Sequence, residues 1–295
     1  MFIRELYKNN KSIISFEVFP PKQESSVETI LNSLKQMADL EPGFISVTYG
    51  AGGTGNNSMT TRIATHIKKD LGAVPMAHLT AVAATREDIA LVLDELERNN
   101  IKNIMALRGD LPEGFSGNPE GDFQYAYELI EFIRKQGDFS CGAACYPEGH
   151  ISCENLDNNY EHAYIKQESG ADFLISQLFF DNDKFFSFVE KARRRGVTIP
   201  IVAGFMPILG KSQVQRMIFQ CGVSLPSEII RILHKYENNP ADLQKAGIEY
   251  ACSQIETLVE NGHSYVHIYS MNKPEIAAAC KERFDSLTLE GRLTL

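Results

Sequence analysis

The sequence has no apolar run near the ~18 residues that a membrane-crossing helix needs. Residues 1–12 are polar and lack the apolar core of a signal peptide, so a cytoplasmic protein is expected. Basic residues are in the minority: Lys plus Arg is 29 against 38 for Asp plus Glu, a net charge of −9. That balance argues against nucleic-acid phosphates or an anionic membrane as partner. No Cys-x-x-Cys occurs among the six cysteines, so reduced thiols are expected rather than disulfides. Cys141, Cys145 and Cys153 are close enough in sequence to suggest a metal or cluster, but small apolar fillers of a buried strand are the favoured reading. There is no low-complexity linker, long charge block or abrupt change of composition. One domain spanning residues 1–295 is therefore expected, and a chain of this length needs no disulfide or metal to complete its core.

What the sequence does contain is an alternation. Short runs rich in Val, Ile, Phe and Ala occur at Ile13–Phe19, Phe44–Tyr49, Val74–Thr80, Asn103–Leu107, Ser140–Tyr146, Phe173–Phe180, Pro200–Met206 and Tyr265–Met271. Amphipathic stretches separate them. Ser26–Leu40 places Val27, Ile30, Leu31 and Leu34 three and four residues apart. Thr85, with Asp88 three residues on, opens Thr85–Asn99 as a capping box would. Further helices are predicted over Phe123–Gln136, Asn155–Ser169, Asn182–Arg195, Lys211–Cys221, Ser227–Tyr236, Ala241–Asn261 and Pro274–Arg283. Gly137, Gly170, Gly196, Gly222 and Gly262 sit just past helix ends, where a left-handed residue is expected. Eight strands alternating with helices predict parallel pairing through right-handed crossovers. At this length a closed (β/α)8 TIM barrel of the α/β class fits, with extra helices before the last strand. Its chemistry should lie at the C-terminal strand ends.

Two glycine motifs are decoys. Gly50-Ala51-Gly52-Gly53-Thr54-Gly55 matches G-x-G-x-x-G, but Asp70 ends the following helix, whereas a dinucleotide fold needs an acidic residue ending the next strand. Gly204 to Ser212 resembles a phosphate loop with one residue too many between its glycines, and Pro207 removes a backbone donor.

Polar groups recur at the strand ends. Glu17 is one ionisable group among apolar residues of the first strand. A carboxyl held there is desolvated, which favours its neutral form and suits a general acid. A structural carboxylate paired with a lysine or arginine across the barrel is an equal alternative. Thr48 and Tyr49 end the second strand, His78 the third, Arg108-Gly109-Asp110 the fourth, Tyr146 through His150 the fifth and Gln177 the sixth; His267, Tyr269 and Lys273 follow at the last. One shared pocket is implied. His78, His150 and His267 could bind a metal in a barrel hydrolase, but the His-x-His pair usual in such enzymes is missing. An organic cofactor held by tyrosines, Arg108 and Lys166 fits better.

The motifs Phe16-Glu17-Val18-Phe19-Pro20-Pro21-Lys22, Ser46-Val47-Thr48-Tyr49-Gly50-Ala51, Ala77-His78-Leu79-Thr80, Ala106-Leu107-Arg108-Gly109-Asp110, Tyr146-Pro147-Glu148-Gly149-His150 and Ile175-Ser176-Gln177 resemble those of the methylenetetrahydrofolate reductase family, nearly end to end. The resemblance implies a barrel that binds FAD without a Rossmann domain. It also implies reduction of 5,10-methylenetetrahydrofolate to 5-methyltetrahydrofolate by NADH or NADPH, in a ping-pong exchange through the flavin. It places FAD against Thr48, Tyr49, His78, Arg108, Gly109, Asp110, Tyr125, Ala126, Tyr146, His150, Asn159 and Lys166. It places the folate against Asp110, Gln177, Gln213, Tyr269 and Lys273. Glu17 and Asp110 would be catalytic, the first delivering a proton and the second stabilising a cationic intermediate. Asn159 stands at a position usually acidic in the family, Lys273 where arginine is frequent, and Met217 where some members carry an aromatic. The resemblance also implies a homo-oligomer consisting of the catalytic region without the C-terminal regulatory region of eukaryotic relatives. A barrel subunit fed by an iron–sulfur partner is the alternative.

Overall fold

The computed structural model describes residues 1–21, 27–49, 57–110, 121–151, 153 and 155–289. Eight parallel strands close into a barrel in sequence order: β1 (Ile13–Val18), β2 (Ile45–Val47), β3 (Pro75–Thr80), β4 (Asn103–Leu107), β5 (Ser140–Cys145), β6 (Phe173–Ser176), β7 (Ile201–Phe205) and β8 (Tyr265–Tyr269). The expected (β/α)8 architecture is thus present, and each predicted strand lies where its apolar run is. The run at 173–180 is longer than its strand, however. Gln177 Oε1 accepts from Leu178 N at 2.8 Å and the strand ends before it. Phe179 then leaves the sheet to pack on Phe185 and Phe205, with ring centroids 5.1 and 5.3 Å away.

Helices cover the outside: α2 (Val27–Ala38), α3 (Asn57–Lys69), α4 (Arg86–Arg98), α5 (Ala126–Gln136), α6 (Leu156–Glu168), α7 (Asn182–Arg195) and α11 (Pro274–Leu289). The capping box forms as read: Thr85 Oγ1 accepts from Asp88 N, and Asp88 accepts from Thr85 N. A cap of this kind stabilises by about 1 kcal/mol. Gly170, Gly196, Gly222 and Gly262 take positive φ as expected. Gly137 does not; its φ of 172° is extended, and glycine serves there because a Cβ would sit 3.1 Å from the Phe139 ring.

Three helices separate β7 from β8, as the sequence predicts: α8 (Lys211–Cys221), α9 (Ser227–Lys235) and α10 (Pro240–Glu260). They enclose a satellite apolar cluster of Leu178, Phe180, Met206, Ile208, Val214, Val223 and Ile229 on the upper rim. Gly247 of α10 lets the helix touch the loop after β7. Any Cβ there would lie 1.9 Å from Ile208 O.

The short helix α1 (Ile3–Asn9) was not anticipated. Only Ile3 and Tyr7 of it are buried, too short a stripe to stand out as periodicity. It closes the N-terminal end of the barrel. Ile3 N donates to Asn103 Oδ1 at 2.8 Å, and Arg4 N to Ser140 Oγ at 3.0 Å. With Ile13, Phe44, Met76, Met105 and Phe173 it forms the apolar floor of the lumen. Among the described residues no helix is long and apolar enough to cross a membrane.

Candidate active site

Two cavities open at the C-terminal end of the strands, and they share walls. The first, of about 350 Å³, lies over the lumen. Glu17, His78, Gln177, His267 and Tyr269 reach it from the strands and their ends; Thr48, Tyr49, Arg108, Gly109, Asp110, Tyr146 and His150 reach it from the loops. The second, of about 480 Å³, runs outward between the loops after β4 and β5 and the start of α6. Tyr125, Ala126, Asn159 and Lys166 line it, and Leu107, Arg108, Ala144, Tyr146 and His150 belong to both. Together they bring twelve of the residues implied to hold FAD to one continuous depression.

Local structure explains the placements. Gly109 has φ +86°, and a Cβ there would meet Val82 Cγ1 at 2.7 Å. Only glycine allows the turn that sets Arg108 and Asp110 on the rim. Glu128 reaches back to accept from Gln124 N and Tyr125 N at 2.6 and 3.0 Å, fixing the start of α5. Tyr125 then stacks on Tyr127, with centroids 5.3 Å apart and planes 9° from parallel. On α6, Asn159, His162 and Lys166 recur at helical spacing and so share the face toward the second cavity. Tyr127, Cys153, Asn158 and His162 line it as well, unforeseen from the sequence, where only that α6 spacing could have pointed to His162.

The second cavity is cationic. Lys166 Nζ donates one hydrogen to Ala144 O at 2.7 Å and lies 5.5 Å from the Tyr146 ring centre. Its other two hydrogens remain for a ligand. Burial pushes Lys166 down to about 8. Burial also lowers His150 and His162, assisted by Arg108 in the first case and Lys166 in the second. Asn159 uses its amide to hold Tyr146 O.

The lumen cavity is more nearly neutral. Its carboxylates are Glu17 and Asp110. The lysine or arginine partner considered for Glu17 is replaced by histidines: its Oε2 lies 3.4 Å from His78 Nε2 and 3.7 Å from His267 Nε2. His78 Nε2 is buried and makes no hydrogen bond. A buried unpaired polar atom is costly, and one that opens on a cavity is suited to a ligand. Gln177 spends its oxygen on Leu178 N, which leaves its amide hydrogens for the cavity. Tyr269 spends its hydroxyl on Ser176 O at 2.6 Å, so it offers the cavity its ring.

Gln213 and Lys273 do not line either cavity. Gln213 accepts from Leu209 N at 2.7 Å and donates to Pro207 O at 3.3 Å, clamping the loop between β7 and α8. Lys273 lies 3.7 Å from Glu275. The decoys resolve simply: Gly204 sits inside β7, where a Cβ would meet Ser176 O at 2.3 Å, and the glycines at 50–55 lie outside the described residues. Cys141 and Cys145 are buried in β5, where burial pushes both thiols up to about 12. Among the described residues no group of three or more His, Cys, Asp or Glu side chains has the arrangement of a metal site.

The family model for methylenetetrahydrofolate reductase matches residues 2–284. The 5,10-methylenetetrahydrofolate reductase of Salmonella typhimurium is 30% identical over 266 residues, covering 90% of this chain and 88% of that protein. Methylenetetrahydrofolate reductase (NADH) 1 of Zea mays is 33% identical over 288 residues, covering 93% of this chain and 48% of that protein. The chain thus spans about half the length of the plant and fission-yeast relatives it matches. Among solved structures, a Clostridium thermocellum protein that binds two copies of 5-methyl-5,6,7,8-tetrahydrofolic acid superposes with TM-score 0.68 at 14% identity, covering 97% of this chain and 98% of that one. At that identity the likeness is one of fold.

Proposed function

Because the chain belongs to the methylenetetrahydrofolate reductase family, we propose that it reduces 5,10-methylenetetrahydrofolate to 5-methyltetrahydrofolate, using NADH or NADPH as donor and FAD as resident cofactor. The observation that carries the reading is Glu17: a carboxyl in the wall of the lumen cavity with histidines for neighbours, and with Asp110 lining the same space.

The residues present suit FAD. Arg108 and the two unspent hydrogens of Lys166 match a diphosphate, and charge-assisted bonds of that kind are the strong ones. The Tyr125–Tyr127 stack offers a flat apolar surface at the outer end of the same cavity. The unpartnered His78 Nε2 and the Gln177 amide suit the polar edge of a heteroaromatic ring system at the inner end. When bound, FAD supplies hydride uptake from the nicotinamide and hydride return to the folate.

The protein's own part is acid catalysis and charge. The methylene bridge of the folate accepts hydride readily only after its ring opens to a cationic iminium. Opening places a proton on the leaving nitrogen, and Glu17 delivers it. The fixed negative charge of Asp110 favours the cation that develops. Gln177 and the ring of Tyr269 orient the pterin. The test is direct. The purified protein should be yellow, release FAD on heating, and bleach with NADH or NADPH in the absence of oxygen. A colourless protein that gains no flavin absorbance with added FAD would end this reading. A yellow protein that bleaches only with an added iron–sulfur partner would leave the donor wrong.

A further inference from the structure

Two buried thiols outside the site meet where the last two helices pack. Cys252 of α10 is 3% exposed and Cys280 of α11 0%. Each sits on the apolar stripe of its helix, Cys252 with Ala251, Ile255 and Val259, and Cys280 with Ile276, Ala277 and Phe284. Of the helix pairs, α10 and α11 pack most extensively. Cys252 Sγ lies 3.8 Å from Ala279 O, which puts its sulfur against the turn of α11 that carries Cys280. Both are free thiols.

Charged side chains fix the register of the two helices. Arg283, one turn beyond Cys280, pairs with Glu249 at 3.0 Å and with Glu256 at 2.7 Å. Those two carboxylates stand one turn before and one turn after Cys252, on the same side of α10. The guanidinium therefore spans the position of Cys252 and holds the thiols toward one another.

The thiols also set each other's acidity. Cys252 is held below the usual thiol range, chiefly by the hydrogen that Cys280 donates to it; Arg283 assists, while burial and the Glu249 and Glu256 charges oppose. Cys280, as the donor, is pushed well up, and burial adds to this. Burial governs Cys141, Cys145 and Cys221 instead, and pushes the first two up to about 12 and the third to about 11.

We propose that Cys252 and Cys280 are a site of oxidative modification, at which a hydroperoxide makes a disulfide that staples α10 to α11. Neither thiol lines either cavity, so the site is separate from the flavin and folate chemistry. Cys252, the more thiolate-like and the less deeply buried of the two, reacts first. Its sulfur bonds to one oxygen of hydrogen peroxide and the O–O bond breaks. The sulfur gives up two electrons to the peroxide, the Cys252 proton leaves with the released hydroxide as water, and a sulfenic acid remains. The Cys280 sulfur then bonds to Cys252 Sγ, the S–O bond breaks, and the Cys280 proton leaves with that hydroxide as a second water. The new bond closes a loop over residues 252–280 that contains β8 and the turn after it. β8 pairs with both β1 and β7, so the staple secures the strand that closes the barrel. A crosslink across such a loop stabilises mainly by restricting the unfolded chain.

The test treats the protein as purified with hydrogen peroxide, then alkylates it in denaturant and maps the tryptic peptides. One tryptic peptide, residues 246–281, carries both cysteines, because the Lys273–Pro274 bond resists trypsin. After oxidation this peptide should be lighter by two hydrogens and take up no alkylating agent, and dithiothreitol should restore both thiols. The melting temperature of the oxidised protein should rise by several degrees and return on reduction. In Cys280→Ala the reaction should stop at the Cys252 sulfenic acid, which dimedone traps, and the rise in melting temperature should vanish. Both cysteines of the peptide remaining open to alkylation, or either one linked to a different cysteine, overturns the proposal. So does a disulfide that leaves the melting temperature level or lower. If Cys280→Ala does not fold, the peptide map and melting curve of the wild type decide alone.

Discussion

The two ends of the barrel each leave one buried side-chain atom without a hydrogen bond. Among the described residues these atoms are Tyr7 Oη at the closed end and His78 Nε2 at the open end. Their surroundings differ completely. Tyr7 is packed between Phe173 and Tyr265, with ring centroids 5.1 and 4.9 Å away, on an apolar floor. His78 opens on a cavity of about 350 Å³ beside a carboxyl and a second imidazole. The same local deficit therefore means different things. At the floor it is a tolerated cost of closure; at the mouth it marks a position where a ligand completes the bonding.

The sharpest way to break this contrast is Glu17→Gln, which keeps size and removes the proton. Folate reduction should fall by about 10² to 10⁴, the usual worth of a positioned acid, while bleaching by NADH or NADPH stays within roughly tenfold. Stopped-flow traces of each half-reaction read this directly. If the group were structural, both half-reactions and the melting temperature would fall together.

Asp110→Asn comes next. It removes a fixed charge where positive charge develops, at a cost of about 3 kcal/mol, so folate reduction should slow roughly 10²-fold with FAD retained. Equal slowing of both half-reactions would reduce Asp110 to a shaping role.

Lys166→Met probes the outer cavity. Losing a charge-assisted bond costs about 1.5–3 kcal/mol, so FAD should bind about 10- to 100-fold more weakly by fluorescence titration. Burial holds the unliganded Lys166 near 8, and a bound diphosphate would raise it. Affinity for FAD should therefore be full below about pH 8 and decline as the pH rises above it. The Met variant should show a flatter dependence over that range.

The sequence carried most of the architecture because parallel barrel strands are apolar on both faces and their helices amphipathic. The eight runs and the capping box at Thr85 were legible for that reason. Helix α1 was not, since two buried residues make no period. Leu178 and Phe180 extended an apolar run past the strand because a satellite core wants the same residue types as a sheet. At the site, the motif residues around Arg108 and Tyr146 were legible one strand at a time. The pairing of Glu17 with His78 and His267 was not, because it depends on which residues of β1, β3 and β8 share a layer. Gln213 illustrates the converse: the resemblance assigns it to the folate, but in this chain its amide clamps its own loop.

The smallest effect should come from Tyr7→Phe, and its sign is the informative part. The substitution deletes only a hydroxyl. The Tyr7 carbonyl still accepts from Tyr265 Oη at 3.3 Å, and the ring contacts with Phe173 and Tyr265 remain. Burial already drives the phenol strongly toward its neutral form, so no charge is lost. A buried hydroxyl without a partner costs about 1–3 kcal/mol of desolvation, which the phenylalanine recovers, less whatever packing the oxygen itself supplied. The melting temperature should therefore stay level or rise by a few degrees, with both half-reactions unchanged. A drop of more than about 1 kcal/mol in denaturant unfolding would mean that the hydroxyl has a partner in solution, such as a buried water. The floor would then be as polar in function as the mouth, and the contrast between the two ends would fail.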